Sequence, residues 1–279
     1  MRVVLASMNE IGRDALEALV EFVEVVGLFT PGERGKLYMD VTDFTGLAAR
    51  LKVPVFKTDD INSKETEAQL RSLRPDAGFS LGWKQIIKER IFTIPPQGWI
   101  GGHPAKLLLK GEKAEPRVLS APGNEPMNHA ILRGCEKTGM TLIWLTGKVD
   151  AGEVFARGEV AMDTEHETSR TLLAKVARLT GELLRANLPA LLAGRPPRLP
   201  QEMANTQPYM KPIKAQDNRI DLAAPAEETY RLIRSCTYPY PNAFIEFHGQ
   251  RIYVERAKLE KGVFTELVVR AGGSPYAGE

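Results

Sequence analysis

A histidine and an aspartate stand where two apolar runs of the chain end. His103 closes the motif Gly98-Trp-Ile-Gly-Gly-His103, and Asp150 follows soon after the apolar residues 141–145. If the two runs are neighbouring strands, an imidazole and a carboxylate meet at their ends as a proton-transfer pair in which the carboxylate orients the ring. From spacing alone we favour the alternative, in which His103 is a surface histidine before a proline and Asp150 lies in an ordinary turn.

The first hundred residues alternate strand patterns with helix patterns. Apolar runs at residues 2–6, 23–29 and 77–81 have the length and composition of buried strands, and amphipathic segments separate them. This alternation predicts an α/β fold with right-handed crossovers, a doubly wound and mostly parallel Rossmann-like sheet. Such sheets carry their chemistry at the carboxyl ends of the strands, where His103 would lie. The first strand–helix turn lacks Gly-x-Gly-x-x-Gly, which argues against a nicotinamide or flavin cofactor bound in the usual way.

Charge and composition exclude several classes of protein. The 279 residues carry 37 basic and 35 acidic side chains, a formal net charge of +2, so we expect no extended nucleic-acid surface. Two cysteines are too few for a structural zinc site, and the four histidines show no metal-ligand spacing, so we expect no metal. We expect a cytoplasmic protein without a membrane partner, because no apolar run reaches membrane-spanning length and the amino terminus has a strand pattern.

The sequence predicts two domains of unequal size. A long amphipathic helix ends near Gly194, and a stretch rich in proline and polar residues follows. We place a catalytic domain at residues 1–195, a linker at 196–214 and a small α+β domain at 215–279, with a helix, a β-hairpin and a further strand. The chain ends soon after that strand in a glycine-rich tail, which would be consistent with an incomplete second domain.

Several short motifs, taken in order, resemble the formyltransferase family. They are Asp60-Ile-Asn-Ser63, Leu73-Arg-Pro-Asp76, Gly82-Trp83 before Ile86-Ile87, the His103 motif with the following Pro-Ala, Thr138-Gly-Met-Thr141, and Asp150-Ala-Gly152. The likeness covers residues 1 to about 190 and is greatest for the branch of methionyl-tRNA formyltransferase-like proteins that includes sugar-nucleotide N-formyltransferases. Residues 219–244 resemble that group's small carboxyl-terminal domain. Each motif alone is weak, but their shared order reverses our preference for His103 and Asp150.

The resemblance implies an enzyme that moves a formyl group from N10-formyltetrahydrofolate to a primary amine, for example that of an amino sugar nucleotide. The amine would attack the formyl carbon to give a tetrahedral oxyanion, which His103 would stabilise while Asp150 orients the imidazole and helps to relay a proton. The pterin would lie against two segments of the chain. The residues implied in folate binding are Gly82, Trp83, Gln85, Ile86, Ile87, Thr146, Gly147 and Val149.

The chain departs from the family pattern at the site itself. Where the family has asparagine two residues before the histidine, to polarise the formyl oxygen, this chain has Gly101. The loss of one such donor typically costs ~2.7–4 kcal/mol of transition-state stabilisation. The loop at residues 106–126 is longer than its family counterpart and lacks the family's arginine, Pro122 standing near its place. Thr146-Gly-Lys148 stands where relatives often carry acidic residues.

Three polar side chains are candidates for binding the acceptor. We expect Asn128 or His129 to replace the donor missing at Gly101, because both precede a helix that begins near Ala130 and would lie over the cleft if the long loop folds back. In the alternative, which is the more frequent arrangement, Asn128 caps that helix and His129 is half buried. Lys106, just after the His103 motif, is the third candidate.

Three hypotheses for function follow. The favoured one is a folate-dependent N-formyltransferase that acts on a small or nucleotide-linked amine. The second is a methionyl-tRNA formyltransferase, against which the near-neutral charge argues because tRNA binding usually needs a basic face. The third, from another class, is a catalytically silent folate-binding relative, which the missing asparagine and altered loops motivate. A homodimer is compatible with all three.

Overall fold

A computed structural model describes residues 1–32, 41–238 and 240–271. In chain order the larger part contains β1 (Arg2–Ala6), α1 (Glu10–Val20), β2 (Glu24–Pro31), α2 (Thr45–Leu51), β3 (Val55–Thr58), α3 (Lys64–Leu73), β4 (Ala77–Ser80), α4 (Glu89–Phe92), β5 (Trp99–His103), α5 (Pro126–Leu132), β6 (Lys137–Trp144), β7 (Val154–Ala161) and α6 (Ser169–Leu192). The remainder contains a 3₁₀ helix (Ala215–Asn218), α7 (Ala226–Ser235), β8 (Ala243–Phe247), β9 (Gln250–Glu260) and β10 (Val263–Ala271).

Seven strands form a sheet in the order β3-β2-β1-β4-β5-β6-β7. The first five in this order are parallel, whereas β6 and β7 run antiparallel to their neighbours. The mostly parallel, doubly wound sheet predicted from the sequence is therefore confirmed. The strand order reverses between β1 and β4, and in open α/β sheets such a switch point opens a crevice outside the carboxyl ends of the strands.

The two faces of this sheet are covered by different helices. Side chains of a strand alternate between faces, so Val3 and Leu5 of β1 join a core with α1 and α6, whereas Val4 joins a second core with α3 and α4. The helix starts are fixed locally: Asn9 caps α1 by accepting the N–H of Ile11, and Ser63 caps α3. A sheet buried on both faces holds the ends of β4 and β5 rigidly beside each other.

The carboxyl-terminal part is a three-stranded antiparallel sheet, in the order β10-β9-β8, with α7 packed against it. Ile233 of α7 shares a small core with Ala243 and Val254 of the sheet. His248 and Gly249, both with positive φ, form the tight turn of the predicted hairpin. This part is α+β, as predicted. Its predicted tail, residues 272–279, lies outside the described ranges.

The segment predicted as a linker lies against the larger part. Leu199 pairs with Val154, Gln201 with Leu109, and Met210 with Gly123 as single β-bridges. We call residues 197–213 the connecting segment. The domain boundaries at 195 and 214 stay a prediction. Among the described residues, no helix combines the length and apolar character needed to cross a membrane.

Candidate active site

A cavity of about 510 Å³ opens at the carboxyl ends of β4 and β5. Ser80 ends β4, Gly101 to His103 end β5, and Asn9 contributes from the turn between β1 and α1. The cavity therefore occupies the switch point of the sheet, where this class of fold binds its ligands. The described residues contain no group of three histidine, cysteine or acidic side chains arranged to hold a metal ion.

His103 and Asp150 meet at the wall of this cavity. The Nδ1 atom of His103 lies 3.5 Å from Oδ2 of Asp150, and His103 is 4% exposed. We expected the two residues to meet because their strands end side by side, and this expectation is wrong. The strand β6 runs antiparallel to β5, so its last residue, Trp144, pairs with Ile100 rather than with His103. The loop between β6 and β7 instead returns to His103. Asp150 lies in that loop with a φ of 53°.

The other nitrogen of the ring is also engaged. Nε2 of His103 lies 2.9 Å from the carbonyl oxygen of Ala121, in the long loop after β5. Since a carbonyl only accepts, Nε2 carries a hydrogen and donates it. The Asp150 carboxylate accepts the backbone N–H of Gly123 at 3.1 Å. A further proton on the ring would occupy Nδ1, facing Asp150, so the pair can hold or pass one proton at that atom.

Thr141 fixes the chain that follows His103. Its buried hydroxyl donates to the carbonyl of Ala105 at 2.7 Å and accepts the N–H of Leu107 at 3.0 Å. Thr141 also faces His103 in the pairing of β6 with β5. This explains a threonine in the Thr138-Gly-Met-Thr141 motif: the side chain fixes the chain immediately after the histidine.

Most of the residues expected to bind folate line the cavity. They are Gly82, Trp83, Gln85, Ile86, Ile87, Thr146 and Val149. Gly147, which is also described, does not line it. Ile86 and Val149 are unusually exposed for apolar side chains, at 68% and 55%. Their contact with folate stays a prediction.

Asn62 shapes the wall that carries these residues. Its amide nitrogen donates to the carbonyl of Ile86 at 2.9 Å, and its Oδ1 accepts the N–H of Lys88 at 2.8 Å. Gln85 is used in the same way, since its side chain bonds the N–H of Ile61 and the carbonyl of Asp59. The Asp60-Ile-Asn-Ser63 motif therefore holds the backbone of residues 82–88 in place.

Two family models match the chain. The formyl transferase model matches residues 22–188, and the model of the formyl transferase C-terminal domain matches residues 212–267. The chain belongs to the formyltransferase family. The resemblance drawn from the motifs is thereby confirmed.

Solved structures share the fold of this formyltransferase-family protein at low sequence identity. Methionyl-tRNA formyltransferase from Clostridium thermocellum is 18% identical, over 97% of this chain and 98% of that chain, with a TM-score of 0.65. A 4-N formyltransferase from Francisella tularensis is 20% identical, over 93% and 98% of the two chains, with a TM-score of 0.66. HypX from Aquifex aeolicus in complex with tetrahydrofolic acid is 16% identical, over 94% of this chain and 40% of that chain, with a TM-score of 0.64.

The space above Gly101, where the resemblance implied an asparagine, is occupied in this formyltransferase-family protein. A β-carbon on Gly101 would lie 2.6 Å from Cδ2 of Leu145, which is closer than real β-carbons approach other atoms. Leu145, the first residue of the returning loop, therefore fills the position above Gly101.

The three predicted acceptor-binding residues do not reach the cavity, and this expectation is corrected. The Asn128 amide donates to the carbonyl of Ser235 in α7 at 2.8 Å, and Nε2 of His129 lies 3.0 Å from the carbonyl of Lys211. Asn128 therefore faces the carboxyl-terminal part, and His129 faces the connecting segment. Asn128 does not cap the helix either, since Glu125 is the N-cap. Lys106 is engaged by two carboxylates.

Sequence reasoning missed several residues that do line the cavity. They are Asn124, Glu125 and Tyr209. Tyr209 lies in the connecting segment, where its hydroxyl is 3.2 Å from the amide nitrogen of Asn124. A lone tyrosine within a proline-rich, polar stretch was the available signal.

The long loop after β5 is anchored by an ion pair. The Arg157 guanidinium on β7 donates to Oε2 of Glu112 at 2.6 Å and to the carbonyl of Leu107 at 2.9 Å. The hydrogen bonds from Arg157 lower the pKa of Glu112 to about 2, against an opposing effect of burial. The loop that carries Ala121 and Gly123 to His103 and Asp150 is thereby fixed to the sheet.

We expect the stabilisation by Glu112 to disappear in acid. Because folding lowers the pKa of Glu112, the ionised carboxylate stabilises the folded protein when the pH is above the ordinary pKa of 4.5. This stabilisation is lost as the pH falls from 4.5 towards 2. At neutral pH, Glu112→Gln should have a lower Tm than the wild type, and the difference should narrow below pH 4.5. Glu182→Gln, on an exposed position of α6, is the control. A Tm difference that stays constant through the acid range would contradict this interpretation.

Proposed function

We propose that this protein is an N-formyltransferase that moves a formyl group from N10-formyltetrahydrofolate to a primary amine. The observation that carries the proposal is the His103–Asp150 pair at the wall of a cavity, at the switch point of a formyltransferase-family fold. Formylfolate supplies an activated one-carbon unit, and the remaining chemistry consists of proton movement and stabilisation of charge.

The residues of the cavity wall suit a reduced folate. Ile86 and Val149 expose apolar surface that a ring system would cover. The indole nitrogen of Trp83 is buried, and the described residues supply no acceptor for it. An N–H that faces a polar ring edge would thereby gain a partner. HypX, which shares the fold, has been solved with tetrahydrofolic acid, and this supports the same class of ligand here.

The pair suits the proton balance of the reaction. As the amine nitrogen bonds to the formyl carbon it must lose a proton, and the folate nitrogen must gain one when its bond to that carbon breaks. His103 can hold a proton at Nδ1 because Asp150 lies 3.5 Å away to balance the charge. The carbonyl of Ala121 keeps the ring orientation fixed through Nε2. His103 therefore carries the proton. Asp150 orients the imidazole ring and balances its positive charge.

Four polar side chains that also line the cavity suit a small acceptor with polar groups. They are Asn124, Lys148, Tyr209 and Tyr240, which bring amide, ammonium and phenol groups to the cavity. Such groups suit hydroxyl, phosphate or ring atoms, as in an amino sugar nucleotide. The formal net charge of +2 favours a small acceptor over tRNA.

The test combines folate binding with turnover on a panel of amines. We expect tetrahydrofolate to bind the full chain. We also expect one or more amino sugar nucleotides to gain the mass of a formyl group with release of tetrahydrofolate. Methionyl-tRNA belongs to the panel, and its formylation instead would select that activity. Folate binding without any formylated product would support the silent relative and overturn the proposal.

An exposed isoleucine gives a sharper test of the folate wall. Ile86→Ser should weaken tetrahydrofolate binding about tenfold, because the ligand would no longer bury that apolar side chain. Isothermal titration calorimetry on the variant and the wild type measures this. Leu222→Ser is the matched control, since Leu222 is exposed outside the cavity. Equal affinities in the two variants would place the folate elsewhere.

A further inference from the structure

The connecting segment contacts both loops that form the catalytic pair. Near its start, the backbone of Leu199 pairs with Val154 at the end of the loop that carries Asp150. Nearer its end, Met210 pairs with Gly123 in the loop that carries Ala121. Residues outside the predicted catalytic domain therefore contribute to the geometry of His103 and Asp150.

Gln201 binds the Asp150 loop directly. Its amide nitrogen donates to the carbonyl of Asp150 at 3.1 Å and to the carbonyl of Gly152. Both partners can only accept, so the amide orientation is unambiguous. The Oε1 atom is buried, and the described residues provide it with no donor. The donor atom of the Gln201 amide is therefore used on two carbonyls of the loop that carries Asp150.

The backbone that Gln201 holds has a left-handed conformation. Asp150 has a φ of 53°, in the left-handed region that aspartate adopts more readily than most residues but that is less favourable than an extended backbone. This conformation turns the carboxylate towards His103 while the carbonyl of Asp150 points to Gln201. Without the two hydrogen bonds from Gln201, the turn could relax and carry the carboxylate away from Nδ1.

The second contact holds the carboxylate through Gly123. The N–H of Met210 donates to the carbonyl of Pro122 at 2.9 Å, and the carbonyl of Met210 accepts the N–H of Asn124 at 3.0 Å. Gly123, between them, donates to Oδ2 of Asp150. The connecting segment therefore reaches the backbone of Asp150 directly and its carboxylate through one residue.

We propose that Gln201 is a positioning residue for Asp150, through which the connecting segment sets the geometry of the His103–Asp150 pair. The expected effect on kcat rests on the proposed formyl transfer. The expected effect on the geometry of His103 and Asp150 does not. If Gln201 served only to stabilise the fold, its replacement would lower the Tm and leave the geometry of His103 and Asp150 unchanged.

The test compares Gln201→Met with Arg198→Ala. Methionine keeps the volume of the side chain and removes both donors. Arg198 anchors the same segment to the same loop, through Glu153 at 3.1 Å and by stacking on Trp144, but does not contact Asp150. We expect Gln201→Met to lower kcat roughly tenfold with folate affinity unchanged, since a misplaced carboxylate affects the reaction rather than binding. Arg198→Ala should lower only the Tm.

A second readout does not need turnover. The chain has four histidines, so the ring signals of His103 can be resolved by ¹³C–¹H NMR and assigned with His103→Ala. The His103 signal should move in Gln201→Met and stay in place in Arg198→Ala. If Gln201→Met does not fold, Gln201→Asn, whose amide reaches less far, replaces it. An unmoved His103 signal in the folded variant overturns the inference. Absence of turnover in the wild type overturns the proposed function instead, and the NMR comparison still decides on Gln201.

Discussion

Replacing His103 by alanine, or Asp150 by asparagine, should reduce formyl transfer by roughly 10²- to 10⁴-fold, the range for loss of a positioned acid–base group. His103→Ala removes the atom that holds the proton. Asp150→Asn keeps the size of the side chain and an oxygen for the N–H of Gly123, but removes the charge that faces Nδ1. Tetrahydrofolate affinity and Tm should stay near those of the wild type, since the folate wall is formed by other residues. Steady-state turnover, calorimetry and thermal unfolding measure the three quantities.

The chain provides a matched control for this result. His166 lies 3.3 Å from Asp163, so it forms a histidine–aspartate pair of similar separation, but on the exposed surface. His166→Ala should turn over like the wild type. Turnover near the wild-type rate in His103→Ala or Asp150→Asn would refute the assignment of the pair.

The second large effect is expected at Gly123. Its φ is 120°, and an added β-carbon would lie 2.4 Å from the carbonyl oxygen of Met210, a backbone atom that cannot move aside alone. Gly123→Ala must therefore shift the loop that donates to Asp150, and we expect turnover to fall about a hundredfold, as for a misplacement of roughly 1 Å. Its Tm should fall as well.

Gly111→Ala separates this effect from backbone strain. Gly111 lies in the same loop with a φ of 89°, but its β-carbon would meet no atom within 4 Å. It therefore shares the cost of a positive φ, roughly 1–2 kcal/mol, without the steric conflict. Gly111→Ala should lower the Tm and leave turnover unchanged. Equal losses of turnover in the two variants would show that strain, rather than the contact with Met210, is responsible.

The fold was accessible from the sequence because its signals are local. The buried runs that became β1, β2 and β4 are short, apolar and separated by amphipathic segments. Ser63, a residue type that favours the N-cap position, caps α3. Periodicity and capping depend on residues close together in the chain, so they survive without knowledge of the tertiary structure.

His103 and Asp150 lie close together, as the sequence led us to expect, but the chain brings them together by a different route. Their catalytic role stays a prediction. The sequence does not state that β6 runs antiparallel to β5, so Asp150 was expected at a strand end rather than on a returning loop. The motif order supplied the pairing of His103 with Asp150. It carried no information about the direction in which β6 runs relative to β5.

The remaining errors concern long-range contacts. Asn128 and His129 face Ser235 and Lys211, partners that lie more than eighty residues later in the chain. Gln201 reaches Asp150 from a stretch with the composition of a linker. No local pattern encodes such contacts, because they depend on how the carboxyl-terminal part packs against α5 and the loops of the cavity.

The most direct test of formyl transfer at this cavity follows the formyl carbon itself. N10-formyltetrahydrofolate labelled with ¹³C at the formyl group is incubated with the wild type and with His103→Ala, in the presence of the amine panel, and the carbon is followed by NMR. The account predicts that the ¹³C signal moves from folate to an amide of the acceptor with the wild type and stays on the folate with His103→Ala. Transfer at equal rates by both proteins, or no transfer by the wild type to any amine, would contradict it.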